Sequence, residues 1–210
     1  MFNQEPFRVS DRRRIRNFVR EHSLGLLIST SEDGRLHASS IPFLIDSECT
    51  ELKGHMARMN EQWNNLDGRD VLVVFQGPGH YISPEWYGEE ASVPTWNYVS
   101  VHVEGSFRLV EKEDRKMALL DEMVAHYEGG LGRSWSADWG DSRYRSMVEH
   151  IAAFTISIEK IEGKWKMSQN HTENGIKNVA GELLKVGTHD ASRVSGMMLE
   201  SLNSTRGEGA

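Results

Sequence analysis

The spacing of hydrophobic and polar positions changes repeatedly along the chain, and each change marks an element. Ile15, Phe18 and Val19 recur at helical spacing, which predicts a first helix over residues 11–21 with Ser10 as its N-cap. Leu24–Thr30 and Leu36–Ile45 read as strands joined by a tight turn at Asp33-Gly34, where both central residues take positive φ readily. A third strand over 50–57 and a short helix over 61–66 follow. Residues 71–75 are continuously apolar, the pattern of a strand buried on both faces. Gly77-Pro78-Gly79 then predicts a sharp reversal.

Over residues 97–109, Val99, Val101 and Val103 alternate with Ser100, His102 and Glu104, and Gly105 marks a bulge or bend. Met117, Leu120, Met123 and Val124 place a helix over 112–127, which Gly129-Gly130-Leu131-Gly132 stops. Phe154, Ile156 and Ile158 alternate again, and Glu162-Gly163 offers a turn into a last strand over 164–168. Strands dominate without regular β–α alternation. The expected fold is therefore mainly β (α+β), a small antiparallel barrel with peripheral helices. Residues 1–185 form the barrel domain on this reading, and 186–210 a C-terminal extension, partly helical or frayed.

Composition narrows the class. The chain has 210 residues, 38% hydrophobic and 26% charged, which suits one folded domain rather than a disordered chain. Its longest apolar runs are too short to cross a bilayer. The polar, arginine-bearing N-terminus has no apolar stretch behind it, so no signal peptide is expected. Cys49 is the single cysteine, which excludes a disulfide framework and fits a reducing, cytoplasmic setting. A net charge of −7 opposes nonspecific attraction to nucleic acid. The scattered histidines predict no metal site.

Four stretches carry candidate chemistry. In Gly54-His55-Met56-Ala57-Arg58-Met59-Asn60-Glu61-Gln62-Trp63, a strand end gives way to an arginine and a helix-capping Asn. Such a junction holds a phosphate through the guanidinium and helix N-terminal amides, or it is a surface arginine beside an ordinary cap. The aromatic run Tyr81-Ile82-Ser83-Pro84-Glu85-Trp86-Tyr87 is a lid over a core edge or part of a ring-binding surface. Val93-Pro94-Thr95-Trp96-Asn97-Tyr98 offers flat apolar area beside an amide that donates and accepts, or simple core packing. In Gly163-Lys164-Trp165-Lys166-Met167-Ser168-Gln169-Asn170, Trp165 and Met167 share a buried face. Lys164, Lys166 and Ser168 share the other, which is solvated or holds an anion.

In this order the four stretches resemble the PaiB family of FMN-binding negative transcriptional regulators, over roughly residues 1–185. The resemblance implies a split β-barrel like that of pyridoxamine-phosphate oxidases, a homodimer with FMN sites across its interface. It implies Arg58 at the FMN phosphate, aided by His55, Asn60 and Gln62. Ala38, Ser39, Ser40 and Ile41 would run beside the isoalloxazine ring. Trp96, Asn97, Lys166 and Gln169 would complete the pocket, some from the partner subunit.

Two functions follow from that likeness. One is a flavin-binding negative regulator of transcription. Its support in the residues is the cluster Arg12, Arg13, Arg14, Arg16 and Arg20 on the first helix, without a helix-turn-helix pattern. The other is an FMN-dependent oxidoreductase acting on a small molecule, with the flavin supplying the redox chemistry. No side chain stands out as an obligatory acid or base.

Overall fold

The computed structural model describes residues 1–207; residues 208–210, the part expected to fray, lie outside them. Seven strands form one sheet: β1 (Arg8–Val9), β2 (Leu24–Thr30), β3 (Leu36–Ile45), β4 (Glu51–Ala57), β5 (Asp70–Ile82), β6 (Thr95–Val110) and β7 (Ile151–Lys166). Their order is β1-β7-β4-β3-β2-β5-β6, and a further β7–β6 pairing closes the sheet on itself. This is the antiparallel barrel expected from the sequence, with five α-helices added among the described residues. The chain divides into two compact units, one of Arg12–Phe75 and His102–Ile161, the other of Met1–Asp11, Gln76–Val101 and the chain from Glu162 onward.

In the first unit, β2 pairs with β3 from Leu24↔Pro42 to Thr30↔Leu36, and β4 pairs with β7 from Glu51↔Ser157 to Ala57↔Ile151. The inward side chains Leu27, Phe43, Val73, Phe75, Phe107 and Phe154 are all nearly inaccessible. Phe43 meets Phe75 and Phe154 edge to face at 5.7 and 6.0 Å, the favoured ring geometry. Gly25 makes room for them, since a Cβ there would lie 2.7 Å from Phe75.

The helix α1 (Arg12–Glu21) buries Ile15, Phe18 and Val19, as the periodicity predicts. It begins one residue later than expected, so Asp11 rather than Ser10 precedes it. In the β2–β3 hairpin only Gly34 has positive φ, at 81°. Asp33 instead accepts the Ser31 hydroxyl with its carboxylate, and the Ser31 amide bonds the Arg35 carbonyl at 2.8 Å. The loop is thus three residues long rather than two. Residues 71–75 alternate: Val71, Val73 and Phe75 are buried, while Leu72 and Val74 are half-buried on the outer face. The helix α2 (Glu113–Gly130) turns Lys116, Leu119 and Met123 inward, with Met117, Leu120 and Val124 flanking them. A short helix, α3 (Ser142–Val148), is capped by Asp141.

The second unit corrects two expected turns. β5 runs straight through Gly77-Pro78-Gly79, and neither glycine has positive φ. Proline's fixed φ is compatible with an extended strand. β7 likewise runs through Glu162-Gly163, because Gly163 and Lys164 pair with Val9 and Arg8 of β1. The tail is helical. α4 (Glu173–Val186) and α5 (His189–Gly207) bury Ile176, Val179 and Leu183 with Ala191, Val194 and Met198. Ser195 ties the pair by donating to the Ala180 carbonyl at 2.9 Å.

Candidate functional site

β4 ends at Ala57, and the next residues turn into a single 3-10 turn, Glu61–Trp63. It is too short to present a helix N-terminus, so the side chains carry this junction. The Arg58 amide is fixed by the His150 carbonyl at 2.8 Å. Its exposed guanidinium lies over the Trp63 ring, 5.0 Å from the centroid, and Trp63 Nε1 donates back to the Arg58 carbonyl at 2.9 Å. Among the described residues the guanidinium has no ion-pair partner. A planar donor fork held against a ring and left open to solvent is suited to a phosphate.

Asn60 joins this junction to the sheet. Its Oδ1 accepts the Gln62 amide at 3.1 Å and its Nδ2 donates to Ser39 Oγ at 2.8 Å. Ser39 therefore keeps its hydroxyl proton for another acceptor. Gln62 is buried, and its Nε2 donates to Leu27 O, Ser29 Oγ and His37 O at 3.1, 3.1 and 3.4 Å. Ser39 and Ile41 lie on one face of β3, whereas Ala38 and Ser40 project from the exposed other face. His55 packs on α2, with Nδ1 3.4 Å from Met123 Sδ. Burial holds its pKa below the usual histidine value, which favours the neutral ring. The structure thus links Asn60, Gln62 and Ser39 through hydrogen bonds, holds Arg58 beside them on Trp63, and leaves His55 occupied by the helix.

The remaining candidates lie in the second unit. Asn97 is fully buried and bonds Ser168 Oγ through Nδ2 at 2.9 Å. Tyr87 reaches the same oxygen at 2.6 Å. Ser168 takes a left-handed backbone, φ 64°, at the centre of this network. Gln169 is committed to backbone, accepting from Met167 N at 2.7 Å and donating to Trp165 O at 2.6 Å. Trp96 is exposed, and Lys166 donates to the Thr95 hydroxyl. Burial pulls the Lys166 pKa down, with Tyr98 opposing the shift and Lys164 adding to it. The face of β7 that carries Lys164 and Lys166 is largely covered rather than solvated, and Ser168, expected on the same strand, lies beyond the end of β7 and is buried.

The candidate residues omit Trp63, the platform for Arg58, and Ser168, the hub for Asn97 and Tyr87. A Trp five residues beyond an Arg across a tight turn is a local signal for the first. The second depends on partners 71 and 81 residues away, which no local pattern reveals.

A closed antiparallel sheet flanked by helices defines an antiparallel β-barrel with peripheral helices. Two solved structures share that fold: the FAD and haem binding protein from Mycobacterium smegmatis, with a TM-score of 0.60 and 17% identity over 76% of this chain and 73% of that one, and the flavocytochrome Anf3 from Azotobacter vinelandii, with a TM-score of 0.59 and 16% identity over 76% and 69%. The family model "Putative FMN-binding domain" matches residues 1–160. The "Protease synthase and sporulation protein PAI 2" of Bacillus subtilis is 34% identical over 208 residues, 96% of this chain and 98% of that protein. An uncharacterised protein of Emericella nidulans is 27% identical, covering 89% and 91%. The chain belongs to this FMN-binding family, the PaiB family that its motifs resemble, and FMN is the family's cofactor.

Proposed function

We propose that the protein is a homodimeric flavoprotein that grips FMN by its phosphate at the β4 end and acts as an oxidoreductase on a small molecule. Arg58 carries the FMN-binding part of the reading: its guanidinium is held on Trp63 and free of any described carboxylate. Ser39 adds a hydroxyl donor whose orientation Asn60 fixes. FMN, once bound, supplies the electron transfer, and the chain's part is to hold and orient it. Within the second unit, Asn97 and Gln169 shape their surroundings through bonds to Ser168 and to backbone. The regulator reading draws less support. Arg12 and Arg16 of α1 donate to the Glu48 and Ser47 carbonyls at 3.0 and 2.9 Å, which ties them to the protein's own loop.

Dimerisation is supported by the outer face of β2 and β3, where Leu24 and Leu36 are 65% and 77% exposed. No described helix is long and apolar enough to cross a membrane, in keeping with a cytoplasmic site of action. FMN titration of the wild type beside Arg58→Ala tests the reading. The variant should bind at least about tenfold more weakly, the loss of one charge-assisted phosphate contact. Equal affinity would remove Arg58 from the site. Bleaching of bound FMN by a reduced nicotinamide would support the redox role, and a sequence-dependent promoter shift without bleaching would favour the regulator.

A further inference from the structure

Between α1 and α2, within the first unit, runs a groove of about 310 Å³ whose lining includes none of the residues assigned to FMN. Its floor is the outer face of β3 and β4, where register sets Leu44 opposite Lys53. Glu122, Ala125 and His126 line it from α2, since residues three and four apart share a helix face. Arg20, in the last turn of α1, lines it from the other helix.

Every charge in this lining but one is matched. Lys53 donates to Glu122 at 2.6 Å. The Asp46 carboxylate accepts the Thr50 hydroxyl and the Thr50 and Glu51 amides at 2.6, 2.7 and 2.9 Å, so the turn after β3 takes up its acceptor capacity. Arg20 is the exception. Among the described residues it has no carboxylate partner, and its polar contact is His126 Nδ1, 3.5 Å from Nη2. A guanidinium only donates, so Nδ1 accepts and the imidazole carries its proton on Nε2. Burial, and then the Arg20 charge, hold the His126 pKa below the usual histidine value, in keeping with a neutral ring.

A cation whose partner is a neutral ring keeps most of its donors for an anion. Leu44 and the short side chain of Ala125 leave apolar space beside it. A ligand with two negative charges would face Glu122 and Asp46 as well as Arg20, so the lining favours one charge. We propose that this groove binds a small organic monocarboxylate, its carboxylate on the Arg20 guanidinium and its apolar chain against Leu44 and Ala125. The site goes beyond the flavoprotein reading and stands independently of it.

NMR titration of the full-length, FMN-loaded protein, labelled at its histidines, tests this with hexanoate, its uncharged analogue hexanamide and the dianion succinate. Hexanoate should shift the His126 ring resonances and bind at least about tenfold more tightly than either comparison ligand. Arg20→Met keeps the apolar stem without the charge, and Ala125→Phe fills the groove. Each should lose about tenfold in hexanoate affinity, while wild-type FMN affinity and an unchanged thermal melt report that the chain is folded. Arg58→Ala should lose FMN and keep hexanoate, which separates failure of this site from failure of the flavin reading. No hexanoate binding, equal binding of acid and amide, tighter binding of succinate, a His126 signal that does not move, or unchanged affinity in either loss variant overturns the proposal.

Discussion

A primary amide inside a barrel persists only where its polar atoms are matched, and Gln62 is matched on one side. Its Nε2 serves three acceptors on β2 and β3, while its buried Oε1 has no partner. Gln62→Leu removes the donor and leaves the Leu27 carbonyl and the buried Ser29 hydroxyl short of a partner. The variant should be less stable by about 1–3 kcal/mol, read as a lower urea midpoint at unchanged m-value. A loss below about 0.5 kcal/mol would mean that water replaces the amide. This residue also shows what a sequence exposes at this scale. Arg58 is legible as a phosphate candidate because its meaning is local: a strand end, a tight turn and a capping Asn. The partners of Gln62 lie 25 to 35 residues upstream, and position alone cannot reveal them.

At the scale of elements, alternation locates β2 and β3 to the residue, because one face of each is buried and a shift by one position would expose it. Glycine and proline mislead where pairing overrides local preference. Gly77-Pro78-Gly79 and Glu162-Gly163 have the composition of turns, yet neighbouring backbone holds both extended. Gly105 makes the same point. Its site is not a bend but a close approach of backbones, and a Cβ there would lie 2.2 Å from the Ser157 carbonyl oxygen. Gly105→Ala should therefore destabilise by about 1–3 kcal/mol, since the obstacle is main chain and cannot rotate away. Gly181→Ala is the control. That glycine lies within α4 with nothing near its missing Cβ, so alanine should stabilise by about 0.5–1 kcal/mol. Thermal melts of the two variants should move in opposite directions.

For the whole molecule, the proposed dimer depends on a face that β2, β3 and β5 expose together. Register puts Leu26 opposite Ser40 on one side and Val74 on the other, with Ile28 opposite Ala38 and Leu72. Leu24, Leu26 and Leu36 are all exposed on this face of the single chain. Three outward leucines on adjacent strands leave an apolar area that a second copy would remove from water. A carboxylate at its centre would have to be desolvated twice in a symmetric contact, once from each copy. Leu26→Asp should therefore sediment as a monomer at concentrations where the wild type is a dimer. The substituted position already faces water in the monomer, so its circular dichroism should remain that of the folded chain. A dimer of unchanged affinity would move the interface elsewhere. Loss of FMN together with the dimer would mean that each flavin site draws on both copies, whereas a monomer that still binds FMN would leave Arg58 and Ser39 sufficient within one chain.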